Sequence, residues 1–195
     1  MRINPKKIQY CQKEVKFLNV TFNGQEITPS EIKQNEALDF PKPQCVSDVR
    51  KFLGLTGWFR NFIKNYSTHT INLTDSLRGK GDRWNWTSEI DKEFGKLKDI
   101  LRSLGKLRIV DYDKVFLLRT DASNVGMGAV LMQKNEENVW APVQWASKKF
   151  TPTETRYGIS EKEMYAVFWG IKRFKYELRG RKFRVETDHR ALAEI

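Results

Sequence analysis

Cysteine is scarce in this chain. Only Cys11 and Cys45 occur among 195 residues, neither follows a metal-ligand spacing, and the pair points to a reducing compartment or to nothing. Histidine is equally sparse: His69 reads as a surface residue of a loop or helix, and His189 draws interest only because it follows Asp188. No apolar run approaches the length of a membrane span, and Met1-Arg2-Ile3-Asn4-Pro5-Lys6-Lys7 leads into no apolar segment, so neither a membrane segment nor a secretory leader is expected. Internal repeats and low-complexity tracts are missing too. Acid is in deficit, with 24 Asp and Glu against 35 Lys and Arg, a net charge of +11. Such an excess reads as a solvated basic surface or as the footprint of a polyanion, most commonly nucleic acid. What is present, 39% hydrophobic and 12% aromatic residues, suits a folded globular protein.

Residues 15–28 read as a hairpin, with apolar Val15, Phe17, Val20 and Phe22, an Asn23-Gly24 turn, and a break at Leu18-Asn19 that suggests a bulge. Thr28-Pro29-Ser30-Glu31 predicts a helix start, with Thr28 as cap and Pro29 in the first turn, and the helix should stop before Pro41. A second helix is expected over 46–63, with Val49, Phe52, Leu53, Phe59, Phe62 and Ile63 on its apolar face, and a third over about 68–78 ending at Gly79-Lys80-Gly81. This helical unit is small for independent stability. Trp84 and Trp86 mark a connector that docks on a neighbouring surface, and a helix over 88–104 carries Ile90, Phe94, Leu97 and Leu101 on one side.

Beyond Val115 the pattern turns to strands at 115–120, 126–133 and 142–147, a long helix over 153–178, and a strand at 182–187. Ile159, Met164, Val167, Phe168, Ile171 and Phe174 are the residues expected to turn inward from that helix. Three antiparallel strands, a crossover helix and a strand parallel to the first make an α/β unit, and the right-handed crossover sets the last strand beside the first. The fold class is therefore α+β or α/β: a small helical unit, then a mixed sheet with a crossover helix.

Three acids stand in distinctive settings. Asp121 and Asp188 close two strand-like runs, and Glu163 lies within the long helix. Strand, helix, strand is an order that gathers carboxylates at one sheet end, where hard divalent cations bind. Taken singly, each is also an ordinary surface carboxylate.

These residues carry a family resemblance. Thr120-Asp121-Ala122-Ser123, Gly126-Met127-Gly128-Ala129-Val130-Leu131, Ser160-Glu161-Lys162-Glu163 and Thr187-Asp188-His189 resemble the ribonuclease H domain of gypsy-class LTR-retrotransposon Pol polyproteins. Phe52-Leu53-Gly54-Leu55-Thr56-Gly57-Trp58-Phe59-Arg60-Asn61-Phe62-Ile63 resembles the thumb signature of their reverse transcriptase. Glu14-Val15-Lys16-Phe17-Leu18 resembles the primer-grip strand, with Phe17 and Leu18 as its contacts, and Trp84-Asn85-Trp86 resembles the entry to the connection. Asn19-Val20 departs from the family's Gly-His.

The resemblance implies four units: 1–28 the end of a palm with a primer-grip-like hairpin, 29–81 a helical thumb, 82–110 a connection, and 111–195 a ribonuclease H-like domain incomplete at its C-terminus. The polymerase aspartates are expected upstream of Met1, since no Tyr-x-Asp-Asp is present, and a fourth nuclease carboxylate beyond Ile195. Asp121, Glu163 and Asp188 are the implied catalytic residues, holding two Mg²⁺ (or Mn²⁺) about 4 Å apart for hydrolysis of RNA in RNA–DNA hybrids, with Asp121 bridging the ions. Contact with 2′-hydroxyls is expected near Ser123, Gly126 and Gly128, although the glycines equally suit turn geometry. Lys172, Arg173, Lys175, Arg179, Arg181, Lys182 and Arg184 read as a phosphate grip beside the site, or as a solvated helix end. The expected partners are a hybrid or other nucleic acid and the rest of a Pol polyprotein, with no membrane. The expected setting is intracellular, in cytoplasm, nucleus or the virus-like particle of the parent element. Weak or no nuclease activity is expected of the chain itself. The rival reading is a non-catalytic nucleic-acid-binding remnant of a domesticated or decayed element.

Overall fold

A computed structural model describes residues 8–78 and 85–188. Trp84, Gly79-Lys80-Gly81 and His189 lie outside the described residues.

The chain opens with three short strands, β1 (Val15–Phe17), β2 (Val20–Phe22) and β3 (Glu26–Pro29), paired antiparallel in succession. The expected bulge at Leu18-Asn19 is instead a complete two-residue turn, both residues with positive φ (47° and 63°). Two successive left-handed residues match the strand twist and close a tight hairpin. Asn23 builds the second turn, its side-chain oxygen accepting from the Gln25 and Glu26 N–H groups.

Helix α1 (Glu31–Leu38) has Ser30 at its N-cap position with no side-chain capping bond, and Pro29 remains in β3 opposite Val20, so the start falls two residues later than the Thr-Pro pattern suggests. The second helix is shorter than expected. α2 (Val46–Gly57) tightens into a 3₁₀ turn over Trp58–Asn61. Residues 68–78 form α3 (Ile71–Asp75) flanked by 3₁₀ turns. α4 (Ser88–Arg102) is capped by the Thr87 side chain, which accepts from the Ile90 N–H. Its Ile90, Phe94, Leu97 and Leu101 share one core with Phe52, Phe59, Ile63 and Leu73. Within 85–110, α4 completes the helical core, and β4 (Leu107–Arg108) joins the first sheet beside β3.

The second sheet holds β5 (Phe116–Ala122), β6 (Gly126–Lys134), β7 (Trp140–Lys149) and β8 (Phe183–Thr187), in the order β7-β6-β5-β8. β5, β6 and β7 are antiparallel, and β8 lies parallel to β5, as the crossover rule requires. The crossover is α5 (Ile159–Arg173) followed by α6 (Lys175–Leu178).

The inward face of α5 differs from the expectation. Phe174 is buried, but Ile159, Met164 and Phe168 are exposed, Ile171 is on the margin and Val167 is half-buried. Ala166 and Gly170 face the sheet instead. Small residues let the helix axis approach the strands closely. Apolar side chains occur on both faces of α5, so hydropathy alone favours the larger set.

Candidate metal centre and nucleic-acid surface

β5 and β8 run parallel with Thr120 opposite Thr187. Asp121 and Asp188, one residue further on each strand, therefore stand side by side at one end of the sheet. Glu163 descends from the first half of α5, only 5% exposed, and its Oε1 accepts the Ala122 N–H at 3.1 Å. That bond pins the helix to the strand end and fixes the carboxylate beside Asp121. One carboxylate oxygen from each of Asp121, Glu163 and Asp188 lies within 4.8 Å of the others.

The donor set suits a hard divalent ion. Mg²⁺ binds oxygen at about 2.0–2.1 Å, so two ligands across one ion stand roughly 4 Å apart. A small contraction would turn this triad into part of a coordination shell. Among the described residues no ion pair engages Asp121 or Asp188. The neighbouring cation Arg119 is occupied by Glu186 at 3.0 Å.

The other sequence-derived candidates are dispersed. The Ser123 hydroxyl is committed to the β5–β6 turn, donating to Gly126 O at 2.9 Å and accepting from the Gly126 N–H at 3.1 Å. Gly126 lies against the Lys148 carbonyl, which a Cβ would approach to 2.7 Å. Gly128, the strand partner of Asp121, lies beneath Asn65, whose Oδ1 would be 2.0 Å from a Cβ there. Close approach does explain both glycines, but the approaching groups belong to the protein. Phe17 and Leu18 are exposed at the β1–β2 hairpin tip.

The basic stretch is not beside the acids. Arg179, Arg181 and Lys182 precede β8 and Arg184 lies near its start, whereas Asp188 follows its end. At about 3.3 Å per residue the separation is roughly 13–20 Å. Lys172 and Arg173 end α5, about 14 Å from Glu163 at 1.5 Å per residue. Lys175 lies further on, in α6.

Lys64 and Asn65 were not anticipated. They come from the turn after the helical unit's 3₁₀ segment and line a cleft with Arg119, Asp121 and Gly128. No local pattern announces them, although Asn at a positive φ of 52° is a residue type that tolerates that conformation. His69 is half-buried, and burial together with nearby Lys96 holds its pKa below the usual value, which suits a neutral structural residue.

A mixed sheet of this order, its crossover helix and acids gathered at the shared end of the parallel strands define an RNase H-like domain. The chain belongs to the family of RNase H-like domains found in reverse transcriptase, whose model matches residues 86–185. It is 33% identical over 192 residues to the Retrovirus-related Pol polyprotein from transposon 297 of Drosophila melanogaster, covering 98% of this chain and 18% of that protein. It is 34% identical over 192 residues to the Transposon Tf2-3 polyprotein of Schizosaccharomyces pombe, covering 97% of this chain and 14% of that protein. The chain therefore spans less than a fifth of these relatives' length.

Two solved structures share the fold. A foamy viral protease-reverse transcriptase in complex with RNA/DNA hybrid superposes with a TM-score of 0.78 at 21% identity, over 91% of this chain and 24% of that one. The same kind of enzyme in complex with dsDNA gives 0.80 at 20% identity, over 93% and 38%. No helix among the described residues is long and apolar enough to cross a membrane.

Proposed function

We propose that this chain is the part of a gypsy-class Pol polyprotein that cleaves the RNA strand of RNA–DNA hybrids, using Asp121, Glu163 and Asp188. The observation that carries this reading is the convergence of three carboxylate oxygens within 4.8 Å from two strands and a helix. Family membership and the hybrid named with one structural neighbour support it. In this reading residues 1–28 are the end of a palm, 29–81 a thumb, 82–110 a connection and 111–195 the nuclease domain, working inside the cell.

In this reading Asp121, level with Asp188 and beside Glu163, would be the ligand shared by the ions. Glu163, held by the Ala122 N–H, keeps its carboxylate in register with the strand end. Two bound Mg²⁺ or Mn²⁺ ions would supply water activation at neutral pH and charge stabilisation at the leaving 3′ oxygen. The protein's own contribution is to hold three carboxyl groups close together at one sheet end.

Thermal melting tests the site without requiring turnover. Wild type should gain melting temperature on addition of Mg²⁺, by linkage to ion binding. Asp121→Asn should melt above wild type in chelator, because it relieves mutual repulsion, and should gain little from Mg²⁺. Equal Mg²⁺ responses in the two proteins would remove Asp121 from the metal site and end the nuclease reading.

A further inference from the structure

Glu163 reaches the acidic cluster from α5, so its aim depends on how that helix lies on the sheet. One fixing point is the Ala122 N–H, which donates to Glu163 Oε1 at 3.1 Å. A second lies across the sheet, at the end of β7. There the Tyr165 hydroxyl donates to Glu154 Oε1 at 2.8 Å. Lys148 Nζ donates to the same Glu154 oxygen at 2.6 Å and to the Tyr165 hydroxyl at 3.2 Å. Glu154 is itself locked by Thr151. Its Oε2 accepts the Thr151 N–H at 2.8 Å, and its own N–H donates to Thr151 Oγ1 at 3.3 Å. The Tyr157 and Tyr165 rings meet edge to face, their centroids 6.1 Å apart.

Strand register puts both fixing points on one row of the sheet. Ala122 pairs with Met127, and Met127 with Lys148. Met127, Phe150 and Ala166 form a small core between them, with Ala122 and Tyr165 packed against it. Glu163 and Tyr165 are two positions apart on α5, about 200° around the axis at 3.6 residues per turn. The helix is therefore held from both flanks, whereas a bond on one flank alone would leave it free to roll. A roll of about 10° carries a carboxylate roughly 6 Å from the axis through about 1 Å. That exceeds the tolerance of about 0.5 Å within which a preorganised site must be held.

We propose that Tyr165, held by Glu154 and Lys148, is a positioning residue for Glu163: it stops α5 from rolling and so keeps the Glu163 carboxylate in reach of Asp121 and Asp188. This rests on the metal-site reading above and names the device that aims one of its ligands.

Titration of the chain with Mg²⁺ by calorimetry tests it, with Asp121→Asn as the reference for binding outside the site. Tyr165→Phe keeps the ring packed on Phe150 and Met127 and removes only the hydroxyl. Loss of a group that orients a metal ligand costs about 10–100-fold in affinity. Tyr165→Phe acts through the helix, so it should weaken Mg²⁺ binding by about tenfold, at the low end of that range. Glu154→Gln added to Tyr165→Phe should weaken it no further, because Glu154 acts on the site through the hydroxyl already gone. Melting in chelator separates aim from stability. A lower melting temperature with wild-type Mg²⁺ affinity in Tyr165→Phe means that the hydroxyl only stabilises the fold, and it overturns the positioning role. A further additive loss of affinity in the double variant overturns it too. Equal Mg²⁺ binding by wild type and Asp121→Asn overturns the metal-site reading itself, and the positioning role with it.

Discussion

Glu154 is buried just beyond the end of β7, where an isolated carboxylate would be costly. Burial pushes its pKa upward, but Lys148 Nζ at 2.6 Å, the Thr151 N–H at 2.8 Å and the Tyr165 hydroxyl at 2.8 Å outweigh that and bring it down from 4.5 to about 2. A depressed carboxylate contributes stability above its unfolded pKa and loses it as pH falls through the folded one. That window runs from about 4.5 down to about 2. Wild type should therefore lose melting temperature across it, and Glu154→Gln should start lower but fall less steeply. Parallel pH profiles for the two proteins would contradict the assignment. The three converging acids were readable from the chain because each closes or interrupts a strong apolar pattern. The Glu154 cluster was not, and neither were the bonds from Ser67 to Ser147, 80 residues apart, because such pairs leave no periodic trace.

At the scale of elements, strand order, the parallel placement of β8 and the buried face of α4 followed from pattern and handedness, whereas the inward face of α5 and several helix ends did not. α5 shows why. Its sheet-facing residues are Ala166 and Gly170, chosen for closeness rather than hydropathy, so the bulkier Met164 and Phe168 stand outward. Helix ends shifted where 3₁₀ turns replaced α-helix, as at Trp58–Asn61. α4 offers a clean test of intrinsic helix preference. Gly95 sits in mid-helix, and a Cβ there meets nothing within 4 Å. Gly95→Ala should stabilise the chain by about 0.5–1 kcal/mol, through backbone entropy and helix propensity alone. Denaturant unfolding checks this: the midpoint should rise with an unchanged slope. A lower midpoint would mean that α4 needs the glycine for close approach to some further surface.

Across the whole molecule, the helical unit is seated on the second sheet by a few polar interactions. The Ser67 N–H donates to Ser147 Oγ at 2.8 Å, the Ser67 hydroxyl donates to the Ser147 carbonyl at 3.0 Å, and Lys149 pairs with Asp75 at 2.5 Å. Asn65 completes the seat by packing on Gly128, next to Asp121. The two parts are therefore coupled at the edge of the acidic cluster. Gly128→Ala would drive a methyl group to within 2.0 Å of the Asn65 Oδ1, so the side chain or the whole turn must move. Overpacking of this kind costs about 1–3 kcal/mol. Asn65→Gly removes the obstructing amide and suits the positive φ of 52° at that position, so alone it should change stability little. Combined, the two substitutions should recover most of what Gly128→Ala loses, a coupling of about 1 kcal/mol or more between residues of different units. Additive losses in the double variant would show that the helical unit does not rest on Gly128. Recovery would show that the turn bearing Lys64 and Asn65 forms one wall of the acidic site.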